Sequence, residues 1–141
     1  MAFPPAGCDT RPMRSRHLSR VIATPPHVVY AYAAEPDHLP DWAAGLARSA
    51  VRREGDDLIV DSPMGSVRVR FVAPNALGVL DHEVVLPGGE SVWNPVRVLP
   101  HPAGAEVVFT VRQRNMTDAQ FDEDCLAVER DLEQLARILE R

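Results

Sequence analysis

His82 is the residue whose neighbours best equip it for chemistry. Leu80, Val84 and Leu86 alternate against Asp81 and Glu83, the period-two pattern of a strand with one apolar face. His82 has the same parity as the aliphatic residues, so its imidazole is expected on the buried side. There it can donate or accept a proton near neutral pH, or orient a ligand carbonyl; equally, it can be a core histidine bonded to backbone or water. The next apolar run, 92–99, decides what stands beside it. With Gly88 and Gly89 at the centre of a two-residue primed turn, Val84 falls opposite Trp93, His82 opposite Pro95 and Leu80 opposite Arg97. That register gathers His82, Trp93 and Arg97 on one inner face, suited to a planar ligand with carboxylate or enolate oxygens. His82 would then shuttle a proton and Arg97 stabilise an enolate. A slip of one residue turns Asn94, Val96 and Val98 inward instead and sends Arg97 to solvent. The sequence leaves both registers open.

Several other chemistries are set aside by composition. All fifteen basic residues are arginine, a bias that fits a GC-rich bacterial genome. Without a lysine amine there is no Schiff base, no pyridoxal linkage and no P-loop lysine. Histidines 17, 27, 38, 82 and 101 lack ligand spacing and Cys8 and Cys125 do not cluster, so no metal is expected. No Gly-rich loop follows a strand, which leaves no expected cofactor. No Ser/His/Asp arrangement is readable. A net charge of −5 argues against nucleic acid as a partner. No run approaches the ~20 apolar residues of a membrane span, and residues 1–16 lack the apolar core of a signal peptide. Cys125 reads as a small core residue of a reducing compartment, so a cytoplasmic protein is expected, monomeric or homodimeric.

The elements that must position His82 are marked along the chain. Residues 1–15 read as a disordered leader and 16–141 as one domain. A strand is expected at 17–23, then a helix at 26–34 with Thr24 as its N-cap, then a short helix or structured turn at 37–45. Six strands follow, at 47–53, 58–62, 67–73, 79–86, 92–99 and 106–112, punctuated by Gly and Pro turns. Leu58, Val60, Val67, Val69 and Phe71 share the inner face, and across a Met64-Gly65 turn Asp61 is expected opposite Arg68. Residues 117–141 form one long amphipathic helix. Phe121, Cys125, Val128, Leu132, Leu135 and Leu139 make its apolar stripe, and Thr117 with Gln120 makes a capping box.

One strand, two short helices, six antiparallel strands and a long closing helix is the order β-α-α-β6-α. With Ala23-Thr24-Pro25-Pro26-His27-Val28-Val29-Tyr30, Pro40-Asp41-Trp42-Ala43, the run from Asn75 to His82, Asn94-Pro95-Val96-Arg97-Val98 and Glu106-Val107-Val108-Phe109-Thr110, the chain resembles the START-like (SRPBCC) superfamily. Within it, the resemblance is to the polyketide cyclase/dehydrase-like branch. It covers about residues 17–141 and implies an α+β helix-grip fold, in which a curved antiparallel sheet wraps the C-terminal helix around an apolar cavity. It implies further a small hydrophobic, aromatic or polyketide-like ligand, bound by a carrier or subjected to cofactor-free cyclisation or dehydration. A regulatory domain with a filled cavity is the remaining alternative. No universal catalytic motif carries over. The wall expected to meet the ligand is Tyr30, Trp42, Val69, Phe71, His82, Val84, Trp93, Arg97, Phe109, Phe121, Val128 and Leu132. Tyr30 and Trp42 can equally be core packing. Asn115 and Met116 are expected at the mouth, as a gate or an ordinary loop.

Overall fold

The computed structural model describes residues 13–44 and 46–141. Strand β1 (Ser15–Ile22) leads to helix α1 (Pro26–Ala34), a 3-10 turn (Pro36–His38) and helix α2 (Leu39–Trp42). Strands β2 (Arg52–Glu54), β3 (Asp57–Ser62), β4 (Gly65–Phe71), β5 (His82–Val85), β6 (Ser91–Asn94), β7 (Val96–His101) and β8 (Gly104–Arg112) follow. Helix α3 (Asp118–Leu139) closes the chain. The fold is the α+β helix grip: antiparallel strands in the orders β1-β8-β7 and β2-β3-β4-β5-β6 curve around α3. Most of the expected leader lies outside the described residues. Its last part does not behave as one, because Ser15 already pairs with Arg112 in the longest ladder of the sheet.

One expected strand, 92–99, is two. Pro95 has no N–H to give the ladder, and its carbonyl accepts from Thr110 N at 3.0 Å, drawing the chain toward β8. Strand β6 stays on β5, while β7 pairs with β8. The two sheets remain stitched. Val79 bridges Arg97, Leu80 N donates to the Val96 carbonyl and Val98 N to the Gly78 carbonyl, each at 2.8 Å. Gly78 lies at φ +74 with its α-carbon against the Val98 backbone, where a β-carbon would collide.

The β5–β6 hairpin settles the register. Leu86 N donates to the Glu90 carbonyl and Gly89 N to the Leu86 carbonyl, so the loop holds three residues, Pro87, Gly88 and Gly89, not the expected two. Gly89 sits at φ +91, as the residue after a type I turn in such a loop must. His82 therefore faces Asn94, and Val84 faces Val92. This is the one-residue slip, and it reverses the parity of everything beyond the turn.

Two smaller expectations are also corrected. Ser62 pairs with Gly65 around Pro63 and Met64, so Arg68 lies opposite Ile59, not Asp61, and bonds Glu54 and Asp57 instead. Thr24 does not cap α1, whose N-cap is Pro25; its hydroxyl donates to the Leu139 carbonyl at 2.8 Å, tying the start of α1 to the end of α3. The capping box at Thr117 and Gln120 is formed as expected. Phe121, Cys125, Leu132 and Leu135 are buried along the helix, with Val128 and Leu139 partly so. Arg14 and Arg16 reach over Phe121, 5.1 and 4.9 Å from the ring centre, and pair with Asp118 and Asp122 at the positive end of the helix dipole.

Candidate functional site

Between α3 and the curved sheet lies a cavity of ≈ 160 Å³. Its sheet wall comes from Phe71 on β4, His82 and Val84 on β5, Val92 and Asn94 on β6, Val96 on β7, and Phe109 and Val111 on β8. Leu39 and Trp42 close it from α2, Ala33 from α1, and Ala127 and Val128 from α3. Polar and exposed groups (Met64, Trp93, Arg112, Asp124) also border it, so it opens to solvent on one side. An apolar chamber with few polar groups is the usual form of a small-molecule site.

His82 is 5% exposed and stands among these aliphatic and aromatic side chains. It pairs across the ladder with Phe71, ring centres 4.7 Å apart, and meets Phe109 edge-on at 6.1 Å. Its Nδ1 lies 3.0 Å from the Leu80 carbonyl oxygen. A carbonyl only accepts, so Nδ1 carries the proton and the neutral ring keeps its lone pair on Nε2. Burial pushes the imidazole below its ordinary value, with the Leu80 carbonyl and Asp81 pulling the other way. The ring is thus neutral at physiological pH, a hydrogen-bond acceptor or weak base.

Arg97 is not beside it. Val96 and Val98 are buried, and Arg97 between them points to the outer face. Its Nε and Nη2 donate to Asp81 Oδ1 and Oδ2 at 2.9 and 2.7 Å. Asp81 Oδ1 also accepts from Val96 N at 2.8 Å, and these donors, Arg97 first, hold its carboxyl below the usual carboxylate range. The guanidinium expected beside His82 is thus bound to Asp81, on the face away from the cavity. Trp93 falls opposite Glu83, on the face away from His82, and is 49% exposed; on its edge strand it still borders the cavity.

Four other expected wall residues lie elsewhere. Val69, Phe121 and Leu132 are fully packed core, too deep for the cavity surface. Tyr30 turns its hydroxyl to accept from Asn75 N at 3.1 Å, bracing the turn before β5. Trp42, Phe71, His82, Val84, Trp93, Phe109 and Val128 do stand on or at the wall. Sequence reading missed Asn94 and Val96, which the alternative register had signalled, and the rim residues Arg112, Arg114 and Asp124, which carry no pattern of their own. At the mouth it is Arg114, at φ +51 and paired with Glu90, that borders the cavity rather than Asn115 or Met116.

One buried side-chain donor on α2 is unsatisfied. Trp42 is 6% exposed, and its indole Nε1–H is the buried side-chain donor that finds no acceptor among the described residues. No three of their His, Cys, Asp and Glu side chains converge as metal ligands would. No helix among them is long and apolar enough to cross a membrane.

A family described as polyketide cyclase / dehydrase and lipid transport matches residues 13–141. The chain belongs to this family. Its START-like fold recurs in solved structures of low identity. Protein MLL2253 from Mesorhizobium loti is 16% identical with a TM-score of 0.68, covering 91% of this chain and 98% of its own. CalU16 from Micromonospora echinospora is 15% identical with a TM-score of 0.65, covering 89% and 74%. Ara h 8.0201 is 11% identical with a TM-score of 0.67, covering 91% and 98%. At such identities the likeness is one of fold. No curated protein matches the chain in sequence. Within this family, then, the member carries a buried neutral histidine on its cavity wall, and a neighbouring Trp42 whose buried indole N–H has no acceptor among the described residues.

Proposed function

We propose that this chain binds a small, flat, hydrophobic molecule, aromatic or polyketide-like, in the cavity between α3 and the sheet. The observation that carries this reading is the wall itself: a mostly apolar chamber of ≈ 160 Å³ with a neutral imidazole and Asn94 on its sheet side and charged residues at its rim. A cavity of about 150 Å³ is enough to hold a benzene ring. The closed part of this one therefore suits one or two rings, with any longer portion leaving past Trp93 and Met64. That volume also weighs against a regulatory domain whose interior is filled.

Binding is favoured over turnover because Arg97, expected beside His82, faces outward to Asp81, and the arginines that border the cavity, Arg112 and Arg114, stand at its rim. The catalytic reading keeps a specific basis. Nε2 of a neutral imidazole can take a proton from an acidic C–H or a hydroxyl, and the curved wall can hold a substrate folded for cyclisation or dehydration without a cofactor. Burial opposes the imidazolium that such a step creates, so His82 is suited only to substrates that release their proton readily.

The test uses 1-naphthol as probe, followed by its own fluorescence. It should bind the wild-type protein, and filling the chamber with Val84→Trp should abolish binding. Unchanged binding after Val84→Trp would reject the cavity as the site. With a turned-over substrate in hand, His82→Phe should abolish the reaction if the protein is an enzyme and only alter affinity if it is a carrier.

A further inference from the structure

We propose that His82 and Asn94 form a two-point clamp for a single hydroxyl group, and that the ligand is accordingly a hydroxyaromatic, a phenol or naphthol held by that oxygen. This rests on the cavity being a ligand site and says which ligands it prefers. The two residues are cross-strand partners on β5 and β6, and both line the chamber. Side chains directly opposite in an antiparallel ladder have β-carbons about 4.5–5.5 Å apart, close enough for one ligand atom to reach both. The arginines at the rim are already engaged: Arg112 Nη1 donates to Ser15 Oγ at 2.7 Å and Arg114 Nη1 to Glu90 Oε1 at 3.1 Å.

What the pair offers is complementary to a hydroxyl. His82 gives its Nδ1 proton to the Leu80 carbonyl, so Nε2 can only accept, and it meets no donor among the described residues. Nε2 is not sealed in as the Trp42 nitrogen is; the residue is 5% exposed, and that remaining surface opens on the chamber it lines. Asn94, partly buried beside it, brings an amide with both donors and an acceptor, likewise unbonded among the described residues. A hydroxyl is donor and acceptor on one oxygen: it gives its proton to Nε2 and accepts from the Asn94 amide N–H. A carbonyl or ether oxygen can meet Asn94 alone and leaves Nε2 unpaired, and a hydrocarbon satisfies neither. Phe71 and Phe109, with ring centres 4.7 and 6.1 Å from the imidazole, make the surroundings of that oxygen suited to an aromatic ring. Burial disfavours the imidazolium, so the proton stays on the ligand oxygen and the contact is a hydrogen bond, not a transfer.

The experiment compares 1-naphthol with 1-fluoronaphthalene, in which fluorine fills the place of the hydroxyl and donates nothing. By calorimetry the wild-type protein should bind 1-naphthol about 10-fold more tightly, the worth of one to two net hydrogen bonds. His82→Phe should bring the ratio of the two affinities close to one, and Asn94→Leu should lower it about 3-fold. In protein labelled with 15N-histidine, the unprotonated Nε2 resonance of His82 should move upfield with 1-naphthol and not with 1-fluoronaphthalene. That measurement needs no variant to fold. Equal affinities in wild type, a ratio that survives either substitution, or an Nε2 resonance that ignores 1-naphthol overturns the clamp while leaving the cavity as a binding site. Failure of both probes to bind overturns the cavity reading and the clamp with it.

Discussion

Arg97 and Asp81 form a two-point ion pair across the outer face of the sheet, Nε to Oδ1 at 2.9 Å and Nη2 to Oδ2 at 2.7 Å. The pair sits beside the stitch that joins the two sheets, where Val79 bridges Arg97. Asp81 is 5% exposed, so its carboxylate depends on these donors and on Val96 N. Arg97→Ala leaves that buried acceptor short of its strongest partner and should cost about 1–3 kcal/mol of stability. Denaturant unfolding measures the loss. Probe affinity for the cavity should be nearly unchanged, since the guanidinium lies on the other face; a large, selective loss of affinity would return Arg97 to the site.

His82 should make the protein acid-sensitive above the carboxylate range. Its folded value is pushed below the ordinary imidazole value of about 6.5, so below that pH the unfolded chain binds the proton first. Stability is therefore full above pH 6.5 and falls as pH falls toward the folded value. The Asp81 contribution has the same sign in a lower window: it is present above about pH 4 and lost as pH falls through its depressed folded value. Melting temperatures of wild type and His82→Phe between pH 5 and 7.5 separate the two. The variant should lose the upper slope and keep the lower one.

Helix α3 should carry much of the core. Leu132 is 2% exposed, and Leu132→Ala should cost about 2–5 kcal/mol, as other buried leucine truncations do. Thr117→Ala removes half of the capping box and should cost about 0.5–2 kcal/mol. Equilibrium unfolding reads both. A loss below about 0.5 kcal/mol for Leu132→Ala would mean that the helix is peripheral to the core, against what burials of this kind deliver.

Two glycines with similar backbones should respond differently to alanine. Gly55 and Gly78 both have positive φ, +62 and +74, so each variant bears the left-handed penalty of about 1–2 kcal/mol. Around Gly55 there is open space, whereas at Gly78 the new β-carbon meets the Val98 carbonyl. Gly78→Ala should therefore be clearly the more destabilising, and should weaken probe binding too, because β7 carries Val96 onto the cavity wall. Equal melting temperatures for the two variants would show that the sheet yields at the stitch.

The sequence by itself determined the helix-grip order, the long C-terminal helix with its cap and stripe, and the inward parity of His82. Those are local properties: a 3.6 or 2.0 period and a capping pattern are written over a few adjacent residues, and burial of one face then follows. What stands beside His82 was decided only in three dimensions. One extra residue in the loop at Pro87, Gly88 and Gly89 inverts every side chain after it, sending Arg97 out to Asp81 and bringing Asn94 and Val96 in. Both registers satisfy the local alternation about equally. The choice comes from partners distant in sequence: the Asp81 carboxylate that holds Arg97, and the Thr110 N–H that takes the carbonyl of Pro95. The unpartnered indole of Trp42 was invisible for the same reason. A tryptophan's need for an acceptor is fixed by its type, but whether one lies within reach depends on every element that packs around it.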